Sequence, residues 1–412
     1  MSSDLKAAIF NRRMLICIFT GFSSGLPLYV VIQLLQVWLR DNDAGLAEIG
    51  LFALVGMPYT IKFLWAPLMD RYTPPILGRR RGWMLPMQIA CLLIIGLFGM
   101  IDPKLSLMTV AYMALALSFF SASQDVVLDA FRREILPDSE LGLGNSIHVQ
   151  AYRISGLVPG SLALILADQM PWDVVFWIVA AFMLLGILMT LVVKEPAIAA
   201  GTPTNLTAAV VEPFKEFFSR KGLSSALLVL AFMFFYKVGD SMATALSSVF
   251  YLDLGFSKTE IGVVAKQAAL WPAIIGGLLG GVWMIRIGIN RALWVFGLVQ
   301  LLSIFGFAIL AEVGANLWVL AGVITFEYLG VGLGTAAFVA FIARETDKRY
   351  AATQFALLTA LTALPRTFAN AVTGIVVEDI GWTYFFLLCA VIAVPGMLLL
   401  FKVAPWNEAR EA

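Results

Sequence analysis

Trp172 to Val193 reads WDVVFWIVAAFMLLGILMTLVV, an apolar run whose only charge, Asp173, stands one residue from its start. About 20 such residues in a helix cross the hydrocarbon core of a bilayer, so this stretch by itself calls for a membrane. Working outward, runs of similar length recur through the chain and are broken by charges, Gly-Pro clusters and Asn-Asp turns. Twelve spans are expected: Met14–Trp38, Ala47–Met69, Trp83–Ile101, Leu105–Ala130, Leu143–Ala167, Trp172–Val193, Leu223–Tyr251, Glu260–Met284, Arg291–Ala311, Asn316–Ala343, Ala351–Val377 and Trp382–Val403. None shows the short alternation of polarity that a membrane barrel needs. The fold class is therefore an all-α integral membrane protein.

Composition agrees. Of 412 residues 60% are hydrophobic and 13% charged, against roughly 45 to 50% and about 25% in soluble domains. A net charge of +1 gives no reason to expect a nucleic-acid partner. Cys17, Cys91 and Cys389 stand singly in apolar stretches, and with one histidine, His148, they make no metal site. No metal or other cofactor is expected, and the partners are the lipid bilayer and a small molecule. The N-terminal apolar run lacks a small-residue cleavage motif and is read as a retained helix.

Lys and Arg set the orientation, because they are retained on the cytoplasmic side. Twenty of the 28 fall in the first tail, the even-numbered connections and the last tail, whereas Arg40, Lys104 and Lys258 are the only three on the other side. Both termini are expected in the cytoplasm. The long connection divides the chain into an N-terminal half, 1–193, a cytoplasmic connection, 194–222, and a C-terminal half, 223–412. Within the connection, VVEPFKEFFSRKG has the look of an amphipathic surface helix.

The halves resemble each other. Glu48-Ile49-Gly50 recurs as Glu260-Ile261-Gly262, Arg133-Glu134 as Arg344-Glu345, and Asp168 with Trp172 as Glu378 with Trp382, at offsets of 212, 211 and 210. Parallel duplication of a six-helix unit is how one large class of secondary transporters is built.

After the second span, Asp70-Arg71-Tyr72-Thr73-Pro74-Pro75-Ile76-Leu77-Gly78-Arg79-Arg80-Arg81 resembles the signature loop of the major facilitator superfamily, with stretched spacing. Arg286 to Arg291 resembles a degenerate copy without the acid. The resemblance implies a gating latch from Asp70, Arg71, Arg79, Arg80 and Arg81; on charge counting alone they could equally serve topology. FALVGMPYTIKFLWAPLMDRYTPPILGRRRGW at Phe52 to Trp83, SASQDVVLDA at Ser121 to Ala130, YKVGD at Tyr236 to Asp240 and ATQFALLTAL at Ala352 to Leu361 are similar, in order, to the AmpG-type muropeptide permeases. That resemblance implies the major facilitator fold, two pseudo-symmetric six-helix bundles. It also implies proton-driven import of anhydro-muropeptides, anionic sugar-peptides from cell-wall turnover, across the bacterial inner membrane by a monomer. Some family members continue into further C-terminal helices, and this chain stops after the twelfth span. A related organic-anion or acetyl-coenzyme A carrier is the alternative. A membrane enzyme acting on lipid-linked sugars would need a clustered acid-base or metal constellation, and the chain has no HExxH and no His-Asp cluster.

Eight ionisable residues lie inside spans: Lys62, Asp125, Arg153, Lys237, Asp240, Lys266, Glu327 and Arg366. At roughly 2.5 to 3.5 kcal/mol each, leaving them uncompensated would cost on the order of 20 kcal/mol, so they must pair or face water. Lys266 and Asp125 stand near span ends and are expected to reach headgroups. Lys237 and Asp240 are three residues apart and within pairing distance on a helix, as a structural ion pair or as part of a site. Arg153 and Arg366 occupy equivalent fifth and eleventh spans and are expected to face each other across a cavity, binding carboxylates by their planar forks. Substrate contacts are expected from Arg153, Arg366, Lys237, Gln33, Gln36, Gln124 and Tyr236, although interhelical hydrogen bonding would account for the glutamines and the tyrosine equally well. Since His148 lies near a cytoplasmic helix end, the coupling proton is assigned to a carboxylate, Asp240 or Glu327 first and Asp125 third. Gly276, Gly277, Gly280, Gly281 and the LGVGLGT run at Leu329 to Thr335 are read as close packing or bending points, not a nucleotide loop.

Overall fold

A computed structural model describes residues 11–195, 215–220, 222–345, 358, 360, 363 and 366–407. Ten helices among them are long and apolar enough to cross a membrane. They are α1 (Arg12–Asp41), α2 (Arg81–Phe98), α3 (Pro103–Arg132), α4 (Ile147–Ala167), α5 (Trp172–Val192), α6 (Leu223–Asp253), α7 (Lys258–Met284), α8 (Ile289–Val313), α9 (Leu317–Ile342) and α10 (Thr373–Val403).

Two expected spans differ. The second is broken into short turns, Leu46–Leu51, Phe52–Gly56, Met57–Ile61, Lys62–Leu64 and Ala66–Arg71, two of them of the tighter 3-10 type. Pro58 and Pro67 interrupt it, since each lacks the N–H that would extend a helix. The eleventh lies largely outside the described residues; its end is continuous with the twelfth in α10, where Gly381 at φ 78° and ψ 167° marks the bend between them. Gly381 takes a backbone conformation that a Cβ would disfavour.

The chain forms two units, 1–44 with 55–202, and 45–54 with 203–412. Segment 45–54 belongs to the second because its backbone presses on the end of the eleventh span and the residue after it: a Cβ on Gly374 would strike the Leu46 carbonyl, and Ala47 N–H donates to Glu378 at 2.9 Å. In the connection, Lys215–Arg220 is helical and Phe217 is buried in the second unit's core, beside Phe232 and Phe341. The rest of the expected amphipathic stretch, 210–214 and 221, lies outside the described residues.

Each unit holds an aromatic triad of the same design. In the first, Trp38 meets Phe98 at 6.1 Å and Phe176 at 5.2 Å between ring centroids. In the second, Phe250 meets Phe307 at 6.3 Å and Phe386 at 4.8 Å. The positions correspond at offsets of 212, 209 and 210, so the duplication legible in short motifs also organises the packing. Trp172 Nε1 donates to Asp41 at 2.8 Å, and Trp382 Nε1 donates to Asp253 at 3.1 Å, which repeats the same helix-end tie.

Helix approach is governed by small residues. A Cβ on Gly276 would strike the Leu329 carbonyl, and one on Gly332 the Ala273 carbonyl, so α7 and α9 touch backbone to backbone. Wider π-type turns interrupt α1 at Val30–Leu34, α4 at Val158–Leu162 and α7 at Ile261–Ala265. Such turns are a frequent mark of functional positions in helices.

Candidate functional site

On α6, Lys237 and Asp240 are one turn apart and both are buried, 6% and 7% exposed. Nζ of Lys237 lies 3.0 Å from Oδ2 of Asp240 and 3.5 Å from Thr335 Oγ1 on α9. Glu327, also on α9, is wholly enclosed and close enough to Asp240 for the two charges to act on each other. Counted as ionised acceptors, Oδ1 of Asp240 and both oxygens of Glu327 find no donor among the described residues. The charge of Asp240 also acts on Arg366, which is half-buried in the helical stretch 366–370. Tyr236 is committed to packing, with its hydroxyl donating to the Leu293 carbonyl at 3.0 Å and its ring stacked 5.9 Å from Phe338.

The first unit carries a second charged cluster. Asp125 on α3 is buried rather than at a headgroup surface, which corrects the expectation from its place in the span. Ser24 Oγ of α1 donates to its Oδ1 at 2.5 Å, and Nζ of Lys62 lies 3.3 Å from Oδ2. The partners are 101 and 63 residues away, so no local spacing announces them. Gln124, with no exposed surface, donates to the Ser23 carbonyl at 2.7 Å and to Ser23 Oγ at 3.1 Å. It clamps α3 to α1. Gln33 sits in the π-type turn of α1 with Oε1 enclosed and lacking a donor among the described residues, and Gln36 is buried one turn on. Arg153 is half-buried on the helix Asp138–Ser155, where its charge reaches Tyr29. No carboxylate pairs with it among the described residues.

The loop arginines are engaged inside their own unit. Arg79 and Arg80 both bind Glu134, at 2.6 and 2.7 Å. Glu195 accepts from the backbone N–H of Arg80 at 2.6 Å and of Arg81 at 3.1 Å, capping the start of α2 with a negative charge. The Arg81 side chain donates to the Thr190 and Leu191 carbonyls at the end of α5, 2.8 Å each. Asp70 and Arg71 close the short helix Ala66–Arg71, and their side chains lie outside the described residues.

Residues 14–370 and 234–411 match the model of the Major Facilitator Superfamily. The anhydromuropeptide permease of Escherichia coli (strain K12) is 42% identical over 97% of this chain and 81% of its own length. The chain belongs to the Major Facilitator Superfamily and, within it, to the AmpG-type permeases. An uncharacterized protein of Haemophilus influenzae is 53% identical over 99% of this chain and 98% of that protein. Among solved structures, the nucleoside transporter NupG superposes with a TM-score of 0.73 at 12% identity, covering 97% of this chain and all of that one. A D-xylose-proton symporter gives 0.71 at 12%, covering 99% of each. This AmpG-type permease is thus a multi-pass membrane transporter and not an enzyme. Its buried charges on α3, α6 and α9 are the polar groups that such a transporter keeps inside its helices, where each must pair or face water.

Proposed function

We propose that this chain imports anhydro-muropeptides across the bacterial inner membrane by alternating access, driven by the proton gradient, as a monomer with both termini in the cytoplasm. The observation that carries the substrate is the 42% identity to the Escherichia coli anhydromuropeptide permease over 97% of the chain. Lys237, Asp240 and Glu327 support the coupling. An anion that draws Lys237 or Arg366 toward itself leaves Asp240 without its compensating charge, and the carboxylate then takes a proton. Substrate and proton therefore bind together, which is the requirement of a symporter. Asp125, held by Lys62 and Ser24, is the further candidate for the proton.

Arg153 and Arg366, on equivalent spans of the repeat, are assigned to the carboxylates of the substrate, and Lys237, Gln33 and Gln36 to further substrate contacts. Gln124 and Tyr236 are assigned to the same substrate set, with the Gln124 amide oxygen still open to a donor and the Tyr236 hydroxyl given to the Leu293 carbonyl. The gating role of the signature loop rests on rigidity: Glu134 and Glu195 bind Arg79, Arg80 and the start of α2 into one block. A block of that kind can move as a body when access alternates. Labelled anhydro-muropeptide offered to proteoliposomes tests the proposal. Accumulation should require an inward proton gradient, and uptake that ignores the gradient, or none at all, would overturn it.

A further inference from the structure

Beside Asp240 lies a small, partly open cavity of about 10 Å³, bounded by Tyr236 and Asp240 of α6, Gly297, Gln300 and Ile304 of α8, and Met397 of α10. That volume admits one water molecule and nothing larger. Its walls are unusual for so small a void. Gln300 is 4% exposed, and neither its amide nitrogen nor its amide oxygen has a hydrogen-bond partner among the described residues. Asp240, 7% exposed, presents Oδ1 in the same condition, because Lys237 takes Oδ2. An amide and a carboxylate buried without partners would cost several times more than a hydrogen bond is worth, whereas one water can supply two donors and two acceptors.

We propose that Gln300 holds a single water against Oδ1 of Asp240, and that this water hands protons to and from the carboxyl. The assignment deepens the reading of Asp240 as a proton carrier and rests on it. The step balances: a proton reaching the water makes hydronium, which gives one hydrogen to Oδ1 and returns to water as Asp240 becomes neutral. Return of that proton to the water restores the Asp240 carboxylate. The groups around Asp240 are Lys237 on its own helix, Glu327 on α9 and the charge of Arg366. None of these three borders the cavity; the Tyr236 hydroxyl, which does, is spent on the Leu293 carbonyl, so the water is the approach to Asp240 that avoids the ion pair. Gln300 is a positioning residue here. Its backbone carbonyl accepts from Ser303 Oγ at 2.8 Å, which helps fix the turn from which the amide projects.

Infrared difference spectra of the purified full chain, recorded across an acid titration in ordinary and in ¹⁸O water, test this without substrate or gradient. A water O–H band that shifts with ¹⁸O should accompany the carboxyl C=O band of Asp240, which is identified by its loss in Asp240→Asn. Gln300→Leu and Gln300→Met, the second nearly the same length and adaptable to packing, should lose the water band and keep the carboxyl band. A carboxyl band with no isotope-sensitive water in the parent protein would overturn the proposal, as would a water band that survives in both folded variants. A missing carboxyl band in the parent would instead defeat the assignment of Asp240 as the proton carrier. The two failures are thereby told apart.

Discussion

Lys237 and Asp240 could be paired on paper because three residues is a helical neighbour distance, but Lys62 and Asp125 could not, since 63 residues and a change of helix separate them. The two pairs also differ in burial: side-chain exposure is 7% and 9% in the first and 30% and 10% in the second. Removing one member of the deeper pair leaves a buried charge uncompensated, so Lys237→Met should destabilise the protein by roughly 3 to 5 kcal/mol. Adding Asp240→Asn should recover most of that loss, and thermal melting of the solubilised protein measures both. If the pair were only structural, the recovered double variant would also recover gradient-driven uptake; as a coupling pair it should not. For Arg153 and Arg366 the discriminating change is to lysine, which keeps the charge and loses the planar fork. Affinity of the folded variants for a carboxylate-bearing muropeptide should fall on the order of tenfold, and unchanged binding in both would remove them from the site.

At the level of helices, close packing makes an asymmetric prediction. Gly332 faces the Ala273 carbonyl without room for a methyl group, whereas Gly322 on the same helix has nothing within 4 Å of where its Cβ would stand. Gly332→Val should therefore push α7 and α9 apart and cost about 1 to 3 kcal/mol or more. Gly322→Ala should be neutral or slightly stabilising, since alanine is the better helix former. Equal yields and melting temperatures for the two variants would show that the α7–α9 approach is loose. The long helices were legible in the sequence because crossing a bilayer needs only length and apolarity, and the duplication was legible because Trp172 and Trp382 kept their spacing. What escaped were features decided by distant contacts. The broken second span depends on how Pro58 and Pro67 are accommodated, Asp125 takes its partners from Ser24 and Lys62, and Gln124 gives its amide N–H to Ser23. The aromatic triads carried a usable signal, since Trp38 and Phe250 stand at the same offset as Glu48 and Glu260.

For the whole molecule, a parallel repeat constrains orientation as firmly as the charges do. Two halves that correspond without inversion must each cross the membrane an even number of times, so that the second starts on the same side as the first. The residue pairs repeated between the halves preserve chain direction: Trp172 with Asp41 answers Trp382 with Asp253, donor late and acceptor early in both units. The basic residues, twenty against three, predict that the Asp41 end of the first unit faces away from the cytoplasm. The Asp41 end carries Asp43, whose carboxyl Lys104 holds below its ordinary range by a 2.6 Å hydrogen bond and its charge. At the other end stands Lys194, exposed just past α5. Cys17, Cys91 and Cys389 are buried and can be replaced by alanine to leave a background silent to a membrane-impermeant thiol reagent. In intact cells Asp43→Cys should react from outside and Lys194→Cys only after the membrane is opened. Losing the exposed Asp43–Lys104 pair should hardly disturb the fold, since surface ion pairs contribute little. If both sites react in intact cells the even-crossing architecture fails, and if the pattern is reversed the charge rule fails while the repeat stands.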